Sequence, residues 1–378
     1  MLAMATAIGC VNDPALEHYD APHATILGSS ADAARGVLMV RMMDDDTVLE
    51  VEGATVSRMF PANGSDMDRW RLVHFAEDAS LDAMAERIAK MEGVAMVEYS
   101  CFVERPQMQS LPMPAPHTAT TRAVEYPFDD PELPWQWHYH NDGSLSEDAK
   151  AGADINLLNA WKYTCGDNRV VVAVIDGGIM AEHRDLADNM WVNEAEKNGL
   201  TGVDDDGNGY IDDVYGWDCV GNDNDPMDDN GHGTHVAGII GATHNNGVGI
   251  SGVLSEVELY GVDCFQSSDL LHQANISTLL GGIDLCLSQG CRVVNMSAGL
   301  EYGHPDAVQQ IAVETALYLI MMLDSYDQDF LIVQAAGNGN NEGRGVDAET
   351  YNGFFASINA EIVALVLQEL DAMGVELE

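Results

Sequence analysis

Basic side chains are scarce: 16 Lys and Arg stand against 62 Asp and Glu in 378 residues, a formal charge of −46. A polyphosphate backbone is held by clustered cations, so nucleic acid is excluded as a partner, and an anionic membrane surface is disfavoured for the same reason. Long apolar runs are also missing. None approaches the roughly 18–20 residues of a membrane-crossing helix. Cysteine is sparse and odd in number, seven at irregular spacing, which gives neither a dense disulfide framework nor a zinc-ligand pattern. Cys286 and Cys291 flank a helix-to-strand turn and read as buried thiols. Disorder is excluded as a global description, because 46% hydrophobic residues over this length can build two ordinary cores.

The chain divides into segments. The start, MLAMATAIGC, is apolar and ends in Ala7-Ile8-Gly9-Cys10. It is similar to the small-residue-then-cysteine end of a bacterial lipoprotein signal, though without a cationic beginning. Residues 1–32 are therefore expected to be an export leader, with a lipid anchor possible at Cys10 and a secreted or cell-surface location. Residues 33–105 read as a small α+β unit: strands GVLMVRM, WRLVHF and VAMVEYSCFVE, and a helix in SLDAMAERIAKME between Ser80 as cap and Gly93 as stop. Residues 106–134 hold Pro106, Pro112, Pro114, Pro116, Pro127, Pro131 and Pro134 and read as a linker. From residue 135, apolar runs at Val170–Ile175, Val257–Val262, Val293–Met296 and Leu331–Ala335 alternate with helical patterns at His235–Thr243, Leu270–Leu287 and Ala307–Leu323. That alternation predicts an α/β fold, a doubly wound parallel sheet with helices on both faces. In such folds chemistry collects beyond the carboxyl ends of the strands.

Three motifs fall at such places. Asp176, in Val174-Ile175-Asp176-Gly177-Gly178, ends the first strand and could orient a histidine. His232, in Asn230-Gly231-His232-Gly233-Thr234-His235, is flanked by glycines and so accessible as a general base. The His232/His235 pair lacks the glutamate of a zinc-hydrolase helix. Asn338, closing Gln334-Ala335-Ala336-Gly337-Asn338, offers an amide donor for an oxyanion. Asp, His and Asn together describe acyl-transfer machinery that still needs a nucleophile.

VVVAVIDGGI, DDNGHGTHVAGIIGA, VVNMSAG and IVQAAGN resemble, in order, the motifs of subtilisin-like serine peptidases, the subtilases. The resemblance implies that Asp176 orients the imidazole, His232 is the base, Asn338 is the oxyanion donor, and Ser297, Ala298 and Gly299 form an edge that pairs with a protein or peptide substrate. His235 is then a structural residue. The N-terminal unit resembles the subtilase propeptide, a ferredoxin-like domain that acts as chaperone and intramolecular inhibitor, and residues 106–134 would hold the maturation cleavage. The family's serine lies in a Gly-Thr-Ser-Met-Ala-Xaa-Pro segment. No such segment occurs here, and after Asn338 the one serine is Ser357, in surroundings unlike that motif. A helical pattern at Glu361–Met373 has no assigned place in the family core. The expectation is a catalytic domain over 135–378 truncated before its serine and unable alone to hydrolyse through a triad. The rival reading is a non-catalytic calcium-binding or peptidase-inhibitory module.

Acidic loops suggest calcium as a structural cofactor. Asp204, Asp206 and Asn208 stand at alternate positions before a glycine, the first half of a calcium-loop pattern, with Asp212 or Asp213 to complete it. Asp223 and Asp225 form a second cluster that resembles a calcium-binding insert of some subtilases. By similarity to the family's tight calcium loop, Asp185 and Asn246 supply side chains at a third.

Overall fold

The computed structural model describes residues 24–27, 30, 33–44, 46–61, 66–104, 125–144, 149–267, 272–298, 315–322, 325–326 and 329–335. Cys10, Gly299, Asn338, Ser357 and the helical pattern at Glu361–Met373 lie outside them.

The N-terminal unit comprises strands β1 (Thr25–Leu27), β2 (Ala33–Met42), β3 (Ala54–Arg58) and β4 (Trp70–Phe75), helix α1 (Leu81–Ile88) and strand β5 (Val94–Glu104). Strands run β3-β4-β2-β5, antiparallel throughout, and β1 lies parallel to β5. Thus part of the expected leader is a sheet strand. Ser80 caps α1, its hydroxyl accepting from the Ala83 N–H at 3.3 Å. The helix stops at Ile88, one turn short of the Gly93 signal. Leu38, Val40, Val73, Ala85, Ile88 and Val97 close the core between α1 and one face of the sheet.

The second unit begins earlier than residue 135. Leu133 is buried, and Asp130 is buried with its carboxylate accepting from Asn245 N, Asn246 N and the Ser251 hydroxyl. Prolines in this stretch therefore stiffen a packed segment. Short helices α2 (Leu157–Ala160) and α3 (Glu194–Asn198) precede α4 (His232–Gly241) and α5 (Ile276–Ser288). The sheet is parallel, in the order β12 (Leu331–Gln334), β11 (Val293–Met296), β6 (Gly166–Asp176), β8 (Glu256–Asp263), β7 (Gly216–Asp218). Side chains alternate across β6, as a doubly covered sheet requires: Val172 and Val174 pack with Ala237 towards α4, Ala173 and Ile175 with Leu280 and Ile283 towards α5.

One expected helix is shorter than its pattern. Residues 272–275 are strand β10, paired with β9 (Gln266–Ser267) and antiparallel to the end of β5, and α5 starts only after Asn275, which caps it by accepting from Thr278 N. The N-terminal sheet thereby continues into the second unit. Its other face joins the same core: Met39, Phe60 and Trp70 pack with Leu280, Tyr318 and Met322. The Tyr318 hydroxyl donates to Glu98 Oε2 at 2.9 Å, and Trp70 meets the Tyr318 ring edge-on at 5.2 Å. No helix among the described residues is long and apolar enough to cross a membrane.

Candidate active site

Asp176 is the last residue of β6 and is fully buried. A carboxylate placed there needs hydrogen-bond donors. It finds one in the Gly177 N–H, 2.8 Å from Oδ1, and another in the His232 ring: Nδ1 stands 2.8 Å from both Oδ1 and Oδ2. The His232 side chain is 12% exposed. Its Nε2 makes no hydrogen bond among the described residues, so the edge opposite Asp176 is open to a reacting group. His235, one turn along, is exposed and does not join the pair.

Local chemistry sets this geometry. Gly178 takes a left-handed φ of +79°, and a Cβ there would overlap the Pro226 carbonyl oxygen, which accepts from Ile179 N at 3.0 Å. Gly231 (φ +89°) turns the chain into α4, so His232 occupies the first helical turn. Four residues before it, the buried Asp228 carboxylate accepts from Asn230 N (3.0 Å), Gly231 N (2.8 Å) and Thr234 N (2.8 Å). These are amides that a helix start leaves without partners. Asp228→Ala is therefore expected to destabilise the chain by about 2–3 kcal/mol in urea unfolding, with Asp228→Asn intermediate. An unchanged urea midpoint for the alanine variant would remove this role from Asp228.

Ser297 and Ala298 follow β11, whose Met296 pairs with Ile175 on one side and Gln334 on the other. They thus lie at the same carboxyl edge as Asp176. Ala298 is fully buried, and its carbonyl accepts from Gln334 Nε2 at 3.4 Å.

The acidic loops lie at different places: Asp218, of the second, closes β7 opposite Asp263 at this edge, whereas Asp213, of the first, accepts from Gln289 Nε2 past the far end of α5. At the first, Asp206 comes together with Glu196 and Asp213, carboxylate oxygens within 4.8 Å of one another. Asn208 Nδ2 joins Asp206 and Asp213, and Asn193 Nδ2 donates to both. The other expected ligands are used differently: Asp204 accepts from the amides of Gly207, Asn208 and Gly209, and Asp212 accepts from Gly202 N. Burial pushes the Asp213 carboxyl up to about 7, and the nearby charges of Asp206 and Glu196 add to the rise. Crowded carboxylate oxygens with no cationic side chain among them form a hard-oxygen donor set, which suits calcium.

At the second loop Asp218 joins Asp223: a Cβ on Gly221 would lie 2.5 Å from Asp218 Oδ2 and 3.1 Å from Asp223 Oδ2, so these oxygens converge. Asp225 N donates to Asp223 Oδ1. Burial raises the Asp218 carboxyl, helped by Asp223 and Asp225, and it lifts Asp263, opposite Asp176 in the sheet, to about 7. At the third, Asn246 Nδ2 donates to the buried Asp185 Oδ1 at 2.8 Å, and a Cβ on Gly249 (φ +53°) would overlap Asp185 Oδ2.

Glu196 and Asp218 went unread in the sequence. Each stands apart from the run of acids it joins, across a helix or a strand.

Residues 167–364 match the model of the Subtilase family (Peptidase_S8). The chain is 40% identical over 185 residues to subtilisin-like protease 1 of Plasmodium vivax, covering 48% of this chain and 27% of that protein. It is 33% identical over 187 residues to the minor extracellular protease Epr of Bacillus subtilis, covering 50% of this chain and 23% of that one. In fold it is similar to fervidolysin of Fervidobacterium pennivorans, a keratinolytic enzyme related to subtilisin, at 16% identity and a TM-score of 0.51, over 85% of this chain and 43% of that one. The chain thus spans about a quarter of the length of each of these two proteases.

Proposed function

The chain belongs to the subtilase family, and on that premise we propose that its Asp176–His232 pair is two-thirds of a serine endopeptidase triad. The observation that carries this reading is the 2.8 Å contact of His232 Nδ1 with a fully buried carboxylate, with Nε2 left open. In the proposed reaction His232 Nε2 takes the proton of a serine hydroxyl as it attacks the peptide carbonyl. Asp176 holds the ring and stabilises the imidazolium, and the proton then passes to the leaving amine. Asn338 is assigned to the oxyanion, and Ser297, Ala298 and Gly299 to pairing with the extended peptide. No serine of these 378 residues is assigned as the nucleophile, because they contain no Gly-Thr-Ser-Met-Ala segment. The chain by itself therefore has no triad hydrolysis.

Three further assignments belong to this reading. The N-terminal unit acts as intramolecular inhibitor. Its support is β5, whose end runs antiparallel to His272–Asn275 and occupies that strand edge. Calcium is the structural cofactor. Glu196, Asp206, Asn208 and Asp213 would hold one ion, Asp218, Asp223 and Asp225 a second, and Asp185 and Asn246 a third; bound there, it would tie loops together and neutralise their charge. Export, with possible lipid attachment at Cys10, rests on the N-terminal pattern and on the extracellular Bacillus relative.

The test is covalent labelling. A fluorophosphonate should leave the chain unlabelled, and should label a version continued in frame with a subtilase serine segment. His232→Ala in that version should slow labelling by about 10³-fold or more. A folded, continued chain that labels equally fast with and without His232 would overturn the triad reading and leave the non-catalytic module.

A further inference from the structure

Four of the cysteines, Cys219, Cys264, Cys286 and Cys291, collect along α5, and the reaction uses none of them. Strands β7 and β8 run parallel with Asp218 opposite Asp263, so the next residues outward are Cys219 and Cys264. Backbone bonds fix both: Cys219 N donates to the Asp263 carbonyl at 2.8 Å, and Cys264 N to the Asp176 carbonyl at 2.8 Å. The Cys264 thiol donates to the Thr278 carbonyl of α5 at 3.3 Å. Both sulfurs stand over Gly282 of α5, where a Cβ would lie 2.8 Å from Cys264 Sγ and 3.8 Å from Cys219 Sγ. A glycine inside a buried helix is less favourable than alanine, and here its missing side chain is the room the sulfur fills. Neighbouring strands lie about 4.8 Å apart, within the Cα separations of about 4.4–6.8 Å that a disulfide spans.

We propose that Cys219 and Cys264 are a dithiol pair that closes to a disulfide under oxidising conditions, stapling the loop that leads into His232 onto the strand beside Asp176. Cys219 is the reachable sulfur, half-buried where Cys264 is fully buried. Its thiolate attacks a low-molecular-weight disulfide such as oxidised glutathione, forming a mixed disulfide and releasing one thiolate. Cys264 then gives its proton to solvent and attacks the Cys219 sulfur, expelling the second thiol. Two protein thiols are oxidised and one donor disulfide is reduced to two thiols. Burial holds the Cys264 thiol well above its usual range, so closure is slow in the folded chain and faster during folding. The other pair, Cys286 and Cys291, is joined by a Cys291 N to Cys286 O bond across the end of α5 and is fully buried on both sides, beyond such a donor.

The bridge encloses the whole of α4, a long loop, and such closures stabilise more than short ones in the chain-entropy account. The purified chain is refolded in a glutathione redox buffer, alkylated, and peptide-mapped without reduction. A Cys219–Cys264 cross-linked peptide is expected, together with a melting temperature about 5 °C or more above that of the same sample after dithiothreitol. Cys219→Ser should lose the dithiothreitol-dependent shift, whereas Cys286→Ser should keep it. Alkylation of both Cys219 and Cys264 after refolding, or pairing of Cys219 with Cys286, would overturn the proposal. The wild-type map decides even where a variant fails to fold.

Discussion

Calcium is expected to raise the melting temperature of the chain strongly at pH 8 and weakly at pH 5, its apparent affinity falling about tenfold per pH unit below about pH 7. The slope comes from Asp213. Its carboxyl is buried and crowded by Asp206 and Glu196, and so holds its proton up to about pH 7. A hard cation binds the ionised form, and below pH 7 that proton must first leave. Without metal the sign is opposite. The folded chain binds this proton more tightly than the unfolded chain, whose carboxyl titrates near 3.9, so the associated stability is complete below about pH 4 and is lost as pH rises through about 7. At most about 4 kcal/mol is involved for Asp213, and Asp263, also lifted to about 7, acts in the same direction. Metal-free protein should therefore lose stability across the window in which calcium gains affinity. Melting curves at pH 5, 6, 7 and 8, with calcium and with chelator, would display both slopes. Asp213→Asn should flatten the pH dependence and remove this loop's share of the calcium response. A wild-type chain whose melting is the same with chelator and with calcium at pH 8 would end the metal assignment at all three loops.

The dyad was legible in the sequence because each half is written locally: Asp176 closes an apolar strand and His232 sits between glycines that only a close turn explains. The acidic clusters were legible only in part. Asp206, Asn208 and Asp213 stand in one acidic run, but Glu196 reaches that loop from the helix before it. No spacing rule encodes that convergence. Asp218 belongs to a strand pattern, and its role beside Asp223 follows from the chain folding back at Gly221. The same limit applies to β10. His272-Gln273-Ala274-Asn275 has little intrinsic strand preference and becomes a strand by pairing with β5, some 170 residues earlier in the chain. Proline-rich composition suggested a free linker up to residue 134, whereas the buried carboxylate of Asp130 ties that segment to the turn at residues 245–251. What failed in each case was information held by a distant partner.

Gly233→Ala should be the most damaging single-methyl change near the dyad, and Gly238→Ala, five residues along the same helix, should be close to harmless. Both glycines are buried in α4, and helix propensity alone favours alanine at each by about 1 kcal/mol. Their surroundings differ. A Cβ on Gly233 would overlap the Gly178 carbonyl oxygen and stand 3.1 Å from Asp176 Cβ, both on or next to rigid backbone. Relief requires α4 to move away from β6, and that motion stretches the 2.8 Å contacts between His232 and Asp176. Overpacking against backbone, with loss of hydrogen bonds to a buried carboxylate, points to a loss of about 3–5 kcal/mol. At Gly238 the Cβ would meet only Ile250 Cδ1 at 3.4 Å, the movable end of a flexible side chain. The expected change there lies between neutral and a gain of about 1 kcal/mol. Urea unfolding of the two variants measures the contrast directly. If Gly233→Ala proved as stable as Gly238→Ala, the close approach of the histidine helix to the strand that carries Asp176 would be refuted, and with it the geometry on which the catalytic reading stands.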